Sequence, residues 1–159
     1  MDTATTYAVE QWVVDLVGDR IPYSVYIDDS WNSEDGDRLL GFDEDGRYPT
    51  ELGSANCISS RLPNGDHRPV LDIDRPYTAA EELLIREALM LPADAVLVSL
   101  GSSTEGHCHL YVQHDVDDWQ LNIGLMRLAA VDIIGPGFAI ASIRRRATFV
   151  RLPWVKKQS

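Results

Sequence analysis

The stretch Val70-Leu71-Asp72-Ile73-Asp74 alternates between apolar side chains and carboxylates. Successive side chains on a β-strand point to opposite faces of the sheet. A strand here places Leu71 and Ile73 on one face, and Asp72 and Asp74 on the other. The sequence therefore predicts a strand that buries an apolar face and presents an acidic one.

A second segment, STEGHCHLY at 103–111, ends in the same alternation. On a strand its polar face carries His107, His109 and Tyr111, while Cys108 and Leu110 point the opposite way. If the two strands are neighbours, two carboxylates and two imidazoles meet on one sheet face. Both groups are common ligands of divalent metals, so such a face can hold a metal ion.

The composition predicts one soluble domain in the cytoplasm. The chain has 159 residues, 45% of them hydrophobic, enough for a single core. No apolar run approaches the roughly 20 residues of a bilayer span, and no basic-then-apolar leader is present. We therefore expect no membrane partner. Two cysteines, Cys57 and Cys108, are too few for a disulfide framework, which favours a reducing compartment.

Charge is distributed unevenly along the chain, whose net charge is −11. Residues 1–118 carry 24 acidic and 7 basic side chains, whereas residues 119–159 carry one acidic and 7 basic. Much of the acidity lies in 28–45, which we expect to be a surface loop. The basic part leaves two interpretations open: a surface for a phosphate backbone, or an exposed hairpin edge protected by charge.

Periodicity and turn residues predict the order of the elements. Asn64-Gly65 indicates a hairpin turn, Thr78 begins a capping box, and Gly135-Pro136-Gly137 is expected to end a helix. The expected elements are a helix over 4–17, strands over 21–27, 57–62 and 68–74, a helix over 78–90, strands over 95–100 and 107–114, a helix from 117 to about 131, and strands over 138–143 and 147–152.

From residue 68 onward this order is β-α-β-β-α-β. Right-handed crossovers fold it into an antiparallel α+β layer of the ferredoxin-like or RNA-recognition-motif-like (RRM-like) type, with both helices on one face. The first and third strands are then central neighbours, and the other sheet face is open. We expect a single domain over 1–159, with an N-terminal αβ extension over 1–66 and an RRM-like palm over 67–159. This topology brings the acidic and imidazole faces together.

Three motifs resemble those of the archaeo-eukaryotic primase superfamily, especially its small primase-polymerase ("prim-pol") branch found in phages and plasmids. The segment 70–74 resembles the Asp-x-Asp motif of that branch. The segment 103–111, with a small polar residue, a glycine turn and His-Leu-Tyr, resembles the second motif. The segment 131–141 is similar to the third, an acid on a strand before a glycine-rich turn. The resemblance covers roughly residues 65–143 and implies an RRM-like palm.

The resemblance implies a nucleotidyltransferase that binds nucleotides and single-stranded DNA or RNA. Asp72, Asp74 and Asp132 would hold Mg or Mn, because paired carboxylates clamp the cations that stabilise the attacking and leaving oxygens of phosphoryl transfer. His109 would contact the phosphates of the incoming nucleotide. The remaining candidates for nucleotide or phosphate binding are Ser103, Gly106, His107, Tyr111, Arg144, Arg145 and Arg146.

Two departures keep other functions open. Cys108 stands where prim-pols usually carry a basic residue, and helical periodicity places Asp132 at the end of a helix. One alternative is a non-enzymatic phage- or plasmid-type binding or regulatory protein on the same scaffold. The other is a single-strand nuclease, because His107-Cys108-His109 fits the His-hydrophobe-His motif of enzymes in which two histidines bind a cation and a tyrosine attacks phosphate.

Overall fold

The computed structural model describes residues 8–24, 51–102 and 105–154, and within them the fold is α+β. The helices described are α1 (Gln11–Val17), α2 (Ala79–Ala88), α3 (Asp118–Ala130) and α4 (Pro136–Arg145), with a short 3-10 turn over Leu52–Ser54. The strands are β1 (Pro22–Tyr23), β2 (Cys57–Ser59), β3 (Val70–Ile73), β4 (Val96–Gly101), β5 (Cys108–Gln113) and β6 (Phe149–Arg151). The expected loop over 28–45 and the candidate Ser103 lie outside these ranges. No helix in the described ranges is long and apolar enough to cross a membrane.

The strands form two antiparallel sheets of three strands each, in the orders β3-β5-β4 and β1-β2-β6. In the first sheet Asp72 lies opposite His109, and Ile73 lies opposite Cys108. The first and third strands of the expected palm are therefore neighbours, and this prediction is confirmed. The register also places the two quoted segments directly against each other.

One predicted strand is a helix. Residues 138–143 belong to α4, so the prediction of a strand there was wrong. The sequence Phe138-Ala-Ile-Ala alternates like a strand, but Pro136 occupies the first turn of α4, where its fixed φ favours a helix. The expected fourth strand of the palm is thus absent from 138–143. The next strand, β6, pairs with β2 in the second sheet.

The Asn64-Gly65 turn forms, but its two arms separate. The amide of Leu62 donates to the carbonyl of Asp66 at 2.9 Å, and Gly65 has φ +91°, which glycine adopts without strain. Between the strands and the turn, the two arms pair through one β-bridge, between Arg61 and His67. Beyond that bridge β2 enters one sheet and β3 the other.

The first sheet is covered on both faces. One face packs against α2, α3 and α4 through the side chains of Leu71, Ile73 and Leu110. On the other face Val70 and Tyr111 form a second core cluster, completed by residues of α1, β2 and β6 including Val13, Leu16, Ile58 and Val150. The expectation that this second face is open was therefore wrong over the part that contains Tyr111, which is 1% exposed.

The elements α1, β2 and β6 that cover this face are called the covering layer below. A buried arginine, Arg20, holds its helix α1 against the first sheet. The Arg20 guanidinium donates to the carbonyl of Leu16 at 2.9 Å, to that of Arg68 at 2.8 Å and to that of Val112 at 2.8 Å. Its central carbon lies 5.3 Å from the centre of the Tyr111 ring, within range of a cation–π interaction. Burial lowers the pKa of Arg20 to about 10, so the group is still charged at neutral pH.

Replacing Arg20 with methionine tests the contribution of this contact. Methionine is an apolar side chain of similar length that cannot donate, so the carbonyls of Arg68 and Val112 lose the Arg20 donor, each at a cost of about 1–3 kcal/mol. We expect R20M to lower the free energy of unfolding by about 3–5 kcal/mol, measured by urea denaturation. The matched control R127M alters an exposed position on α3 and should change stability by less than about 0.5 kcal/mol. Equal free energies of unfolding of R20M and R127M would show that the Arg20 hydrogen bonds do not stabilise the fold.

Candidate functional site

The two carboxylates of the first segment meet the two imidazoles of the second. His107 Nδ1 lies 3.6 Å from Asp74 Oδ1, and His109 Nε2 lies 3.8 Å from Asp72 Oδ1. We call these four residues the acid–imidazole cluster. Both separations exceed hydrogen-bond length, so each acid contacts its histidine without a direct hydrogen bond. The side chains of Asp72 and Asp74 are about half exposed, whereas that of His109 is mostly buried.

Local structure accounts for this arrangement. The β3–β5 ladder aligns Asp72 with His109. One step beyond the ladder, the amide of Asp74 donates to the carbonyl of Ile133 at 3.1 Å, which holds Asp74 beside the loop that follows α3. On the other strand, Gly106 adopts φ +79° in the turn before His107. A residue with a side chain would be strained there, so glycine suits the turn that delivers His107.

The protonation states within the cluster follow from burial and neighbouring charges. Burial, aided by the positive charge of Arg151, lowers the pKa of His109 to about 4. The imidazole is therefore neutral at pH 7 and retains a lone pair on one ring nitrogen. Partial burial and the negative charge of Asp72 raise the pKa of Asp74. The two carboxylates are thus close enough to repel each other.

Arg151 is a neighbour of the cluster to which the sequence interpretation gave no role. It lies on β6, opposite Cys57 of β2. Its positive charge helps to lower the pKa of His109; burial lowers the pKa of Arg151 itself, and the negative charge of Asp72 counteracts that effect. Its sequence signal is a lone arginine between Val150 and Leu152 in a segment that otherwise alternates as a strand. A charged residue at a strand position can have many structural roles, so this pattern alone does not predict a functional role for Arg151.

Asp132 lies in a turn rather than on a strand. It follows α3 with φ +61°, and its backbone carbonyl accepts a hydrogen bond from Arg75 at 2.8 Å. Helical periodicity correctly predicts that Asp132 lies at the end of a helix. The resemblance to the third prim-pol motif implies a strand at this position, and the structure has a turn there instead. Among the described residues, no three His, Cys, Asp or Glu side chains form a group that could hold a metal ion.

The other predicted binding residues are distributed as follows. Tyr111 is buried beneath Arg20, so its ring presents no surface to a nucleotide base. Burial also raises the pKa of Tyr111 to about 12.

Arg144, Arg145 and Arg146 lie at the C-terminal end of α4. The opposite end of α4 borders the cluster, because a Cβ on Gly135 would lie 3.0 Å from Asp74 Oδ2. Ten helical residues separate the two ends by about 15 Å.

A Ser–His–Asp chain with buried Ser60 and His67 and an exposed Asp118 lies outside the cluster. Ser60 Oγ is 2.9 Å from His67 Nδ1, and His67 Nε2 is 2.5 Å from Asp118 Oδ1. The amide of Thr148 donates to Ser60 Oγ at 3.0 Å. Ser60 is fully buried, so its hydroxyl is inaccessible to a substrate. The chain instead joins β2, the 61–67 turn and the start of α3, which is a structural role.

A cavity of about 440 Å³ lies at the other end of β5 from His109. Its walls include Asp15, Arg68, Gln113 and Asp115. Asp115 is paired with Arg68 at 2.5 Å, and the Gln113 amide donates to the carbonyl of Leu16 at 2.8 Å. The Gln113 bond anchors α1, and the cavity is separate from the acid–imidazole cluster because none of the four cluster residues lines it.

Comparison with known proteins adds no family. No protein-family model, no curated protein and no solved structure matches the chain. The functional assignment therefore rests on the geometry and chemistry of the cluster and on the motif resemblance.

The lowered pKa of His109 predicts a pH-dependent stability. The unfolded imidazole titrates near its ordinary value of 6.5 and the folded one near 4, so the unfolded chain binds more protons between these values. Stability consequently rises with pH across this window and falls as the pH drops from 6.5 to 4. The contribution is about 2–3 kcal/mol.

Urea denaturation at pH 7 and pH 4 measures this effect. The variant H109Q keeps a polar side chain without a titrating group, and the opposing contribution of the raised Asp74 pKa is present in both proteins. We expect the wild type to lose about 2 kcal/mol more than H109Q over this range. Equal losses in the two proteins would show that His109 titrates normally in the folded state.

Proposed function

We propose that the acid–imidazole cluster binds the phosphates of a nucleotide together with Mg or Mn, and that the protein is a catalytically reduced relative of the prim-pols. The observation that supports this proposal is the pairwise contact of Asp72 with His109 and of Asp74 with His107 across neighbouring strands. These are the residues on which the prim-pol resemblance depends. They meet at the surface end of a sheet face whose other end is buried.

The donor set fits a metal that arrives with phosphate. Mg²⁺ commonly binds through one or two carboxylates, several waters and substrate phosphates rather than in a cage made only of protein ligands. Asp72 and Asp74 would supply the carboxylates. The metal would neutralise phosphate charge and polarise a phosphoryl oxygen. A neutral His109 carries one N–H and can donate it to a phosphate oxygen.

Two features favour a reduced relative over a full polymerase. Asp132 lies in the turn after α3 rather than on a strand, so the third acid does not occupy the strand position that the resemblance implies. Tyr111, the expected platform for an unpaired base, is covered by α1 and Arg20. The strand order β3-β5-β4, with α2 and α3 packed on one face, agrees with the first three strands of an RRM-like palm. The proposal therefore keeps the palm and nucleotide binding but not templated synthesis.

The nuclease alternative needs a tyrosine near the histidines. Within the described ranges, Tyr23 and Tyr111 are buried, and the Tyr77 hydroxyl donates to Glu82 at 3.0 Å. Burial and the carboxylate of Glu82 raise the pKa of Tyr77, which disfavours the phenolate that would attack phosphate. Burial of two tyrosines and the raised pKa of the third therefore disfavour the described tyrosines as the nucleophile.

Calorimetric titration tests nucleotide binding directly. We expect ATP to bind in the presence of Mg²⁺, and the affinity to fall at least tenfold when EDTA removes the metal. D72N and D74N should each weaken Mg·ATP binding at least tenfold, because each removes a charged metal ligand. D94N is the matched control: Asp94 is exposed in the turn between α2 and β4, and its loss should leave the affinity within twofold.

A primer-extension assay with Mn²⁺ and labelled nucleotides separates the remaining possibilities. We expect this protein to bind nucleotides but to give no extension product. Extension that is lost in D72A and D74A would identify a complete polymerase and contradict the reduced assignment. Absence of both extension and nucleotide binding would contradict the proposed function and leave the non-enzymatic scaffold.

A further inference from the structure

The outer edge of β4 has no strand partner in the part of the chain that the structure describes. β4 is hydrogen-bonded to β5 along one side and ends the first sheet, whose order is β3-β5-β4. Along its other side lies a row of backbone N–H and C=O groups that no described strand pairs with. Such a row is a template on which a further strand can form.

β4 lacks the features by which proteins usually protect an edge strand. A short length, a charged side chain, a proline or a bulge discourages pairing with another chain. β4 has six residues, Val96–Gly101, and none of them is charged or a proline. Its register with β5 advances one residue at a time, from Val96 opposite Gln113 to Gly101 opposite Cys108, so the strand contains no bulge. The edge is therefore long, regular and uncharged.

The other edge strands within the described ranges are shorter, and each has a protecting feature. β1 has two residues, one of them Pro22, and β6 has three, one of them Arg151. β3 carries Asp72, and its Val70 amide donates to the hydroxyl of Thr148 at 3.1 Å. The unprotected edge is thus specific to β4 and is not a general feature of these sheets.

Exposed apolar side chains accompany this edge. Val96, the first residue of β4, is 56% exposed. The Arg86 guanidinium of α2 donates to the carbonyl of Ala95 at 2.7 Å, which places that side of the helix beside the start of β4. Leu83 lies one turn before Arg86 on the same side of α2, and it is 60% exposed. A strand added to β4 would remove apolar surface from water as well as pair the backbone.

The distribution of charge favours a second copy of the chain as the partner. Two molecules of net charge −11 repel each other, so they can associate only where neither presents carboxylates to the other. Residues 95–102 contain no charged side chain, although charged residues make up 25% of the chain. An uncharged edge offers a foreign peptide no ion pair, whereas a second β4 matches it in length and lack of charge. Antiparallel pairing about a twofold axis satisfies both edges in one contact.

We propose that two copies of this chain pair through β4, antiparallel and about a twofold axis, so that two three-stranded sheets become one sheet of six strands. This inference is independent of nucleotide binding, because β4 lies between the partner strand and the strands that carry the acid–imidazole cluster. Each copy keeps its own cluster.

Sedimentation equilibrium of the full chain at about 1–100 µM tests the association. Wild type should change from monomer to dimer over this range. S99K places a lysine at an exposed position in the middle of β4, where it meets the β4 of the partner with its own lysine, and should raise the dissociation constant at least tenfold. The control A130K adds the same charge at an exposed position on α3, the helix that carries the exposed Trp119 and Met126. It should match wild type.

Hydrogen exchange followed by mass spectrometry locates the interface. About half of the β4 amides face away from β5, and they should exchange at least tenfold more slowly in the dimer than in the monomer. A wild type that stays monomeric, a dimer whose β4 amides exchange as in the monomer, or a dimer that persists in S99K or is lost in A130K would each overturn the inference. Urea denaturation verifies that S99K folds; if it does not, the concentration dependence of exchange in wild type decides alone.

Discussion

Arg20 holds the covering layer on the sheet. Its guanidinium donates to the backbone carbonyls of Leu16 in α1, of Arg68 just before β3 and of Val112 near the end of β5. A guanidinium in this position is satisfied without a carboxylate, since its donors point to backbone carbonyls. The consequence reaches the candidate site. The covering layer buries Tyr111 and Val70 but stops short of Asp72 and His109. One end of the sheet face becomes core, and the other remains at the surface.

The sequence predicted the pairing of β3 with β5 because two independent patterns agreed. Alternation assigned the faces of each strand, and the β-α-β-β topology assigned the neighbours. The register then follows from burying Leu71, Ile73 and Leu110 together, because a slip by one residue would turn these side chains to the polar face. Arg20 was not predictable in this way. Two of its acceptors, the carbonyls of Arg68 and Val112, lie 48 and 92 residues away along the chain, and no local period records them.

Two parts of the site illustrate where local patterns mislead. Residues 138–143 alternate in hydrophobicity, yet Pro136 and the packing of Ala139 against the core select a helix. That helix places Gly135 beside Asp74 and the three arginines at its far end. Asp132 occupies a left-handed turn, and its backbone carbonyl accepts a tertiary hydrogen bond from Arg75. Local sequence identified Asp74, Asp132 and the three arginines as candidates but not their distances from one another.

Electrostatics determine what such a cluster could bind. A chain of net charge −11 repels polyanions at long range, and Asp72 and Asp74 add two carboxylates at the point of contact. Neutral His109 contributes a donor but no charge. The single charge of Arg151 cannot offset both carboxylates and a phosphate chain. A phosphate ligand at this position therefore requires a divalent cation, which attracts the carboxylates and the phosphate simultaneously. Binding of metal and phosphate should be mutually dependent, because each reduces the repulsion that opposes the other.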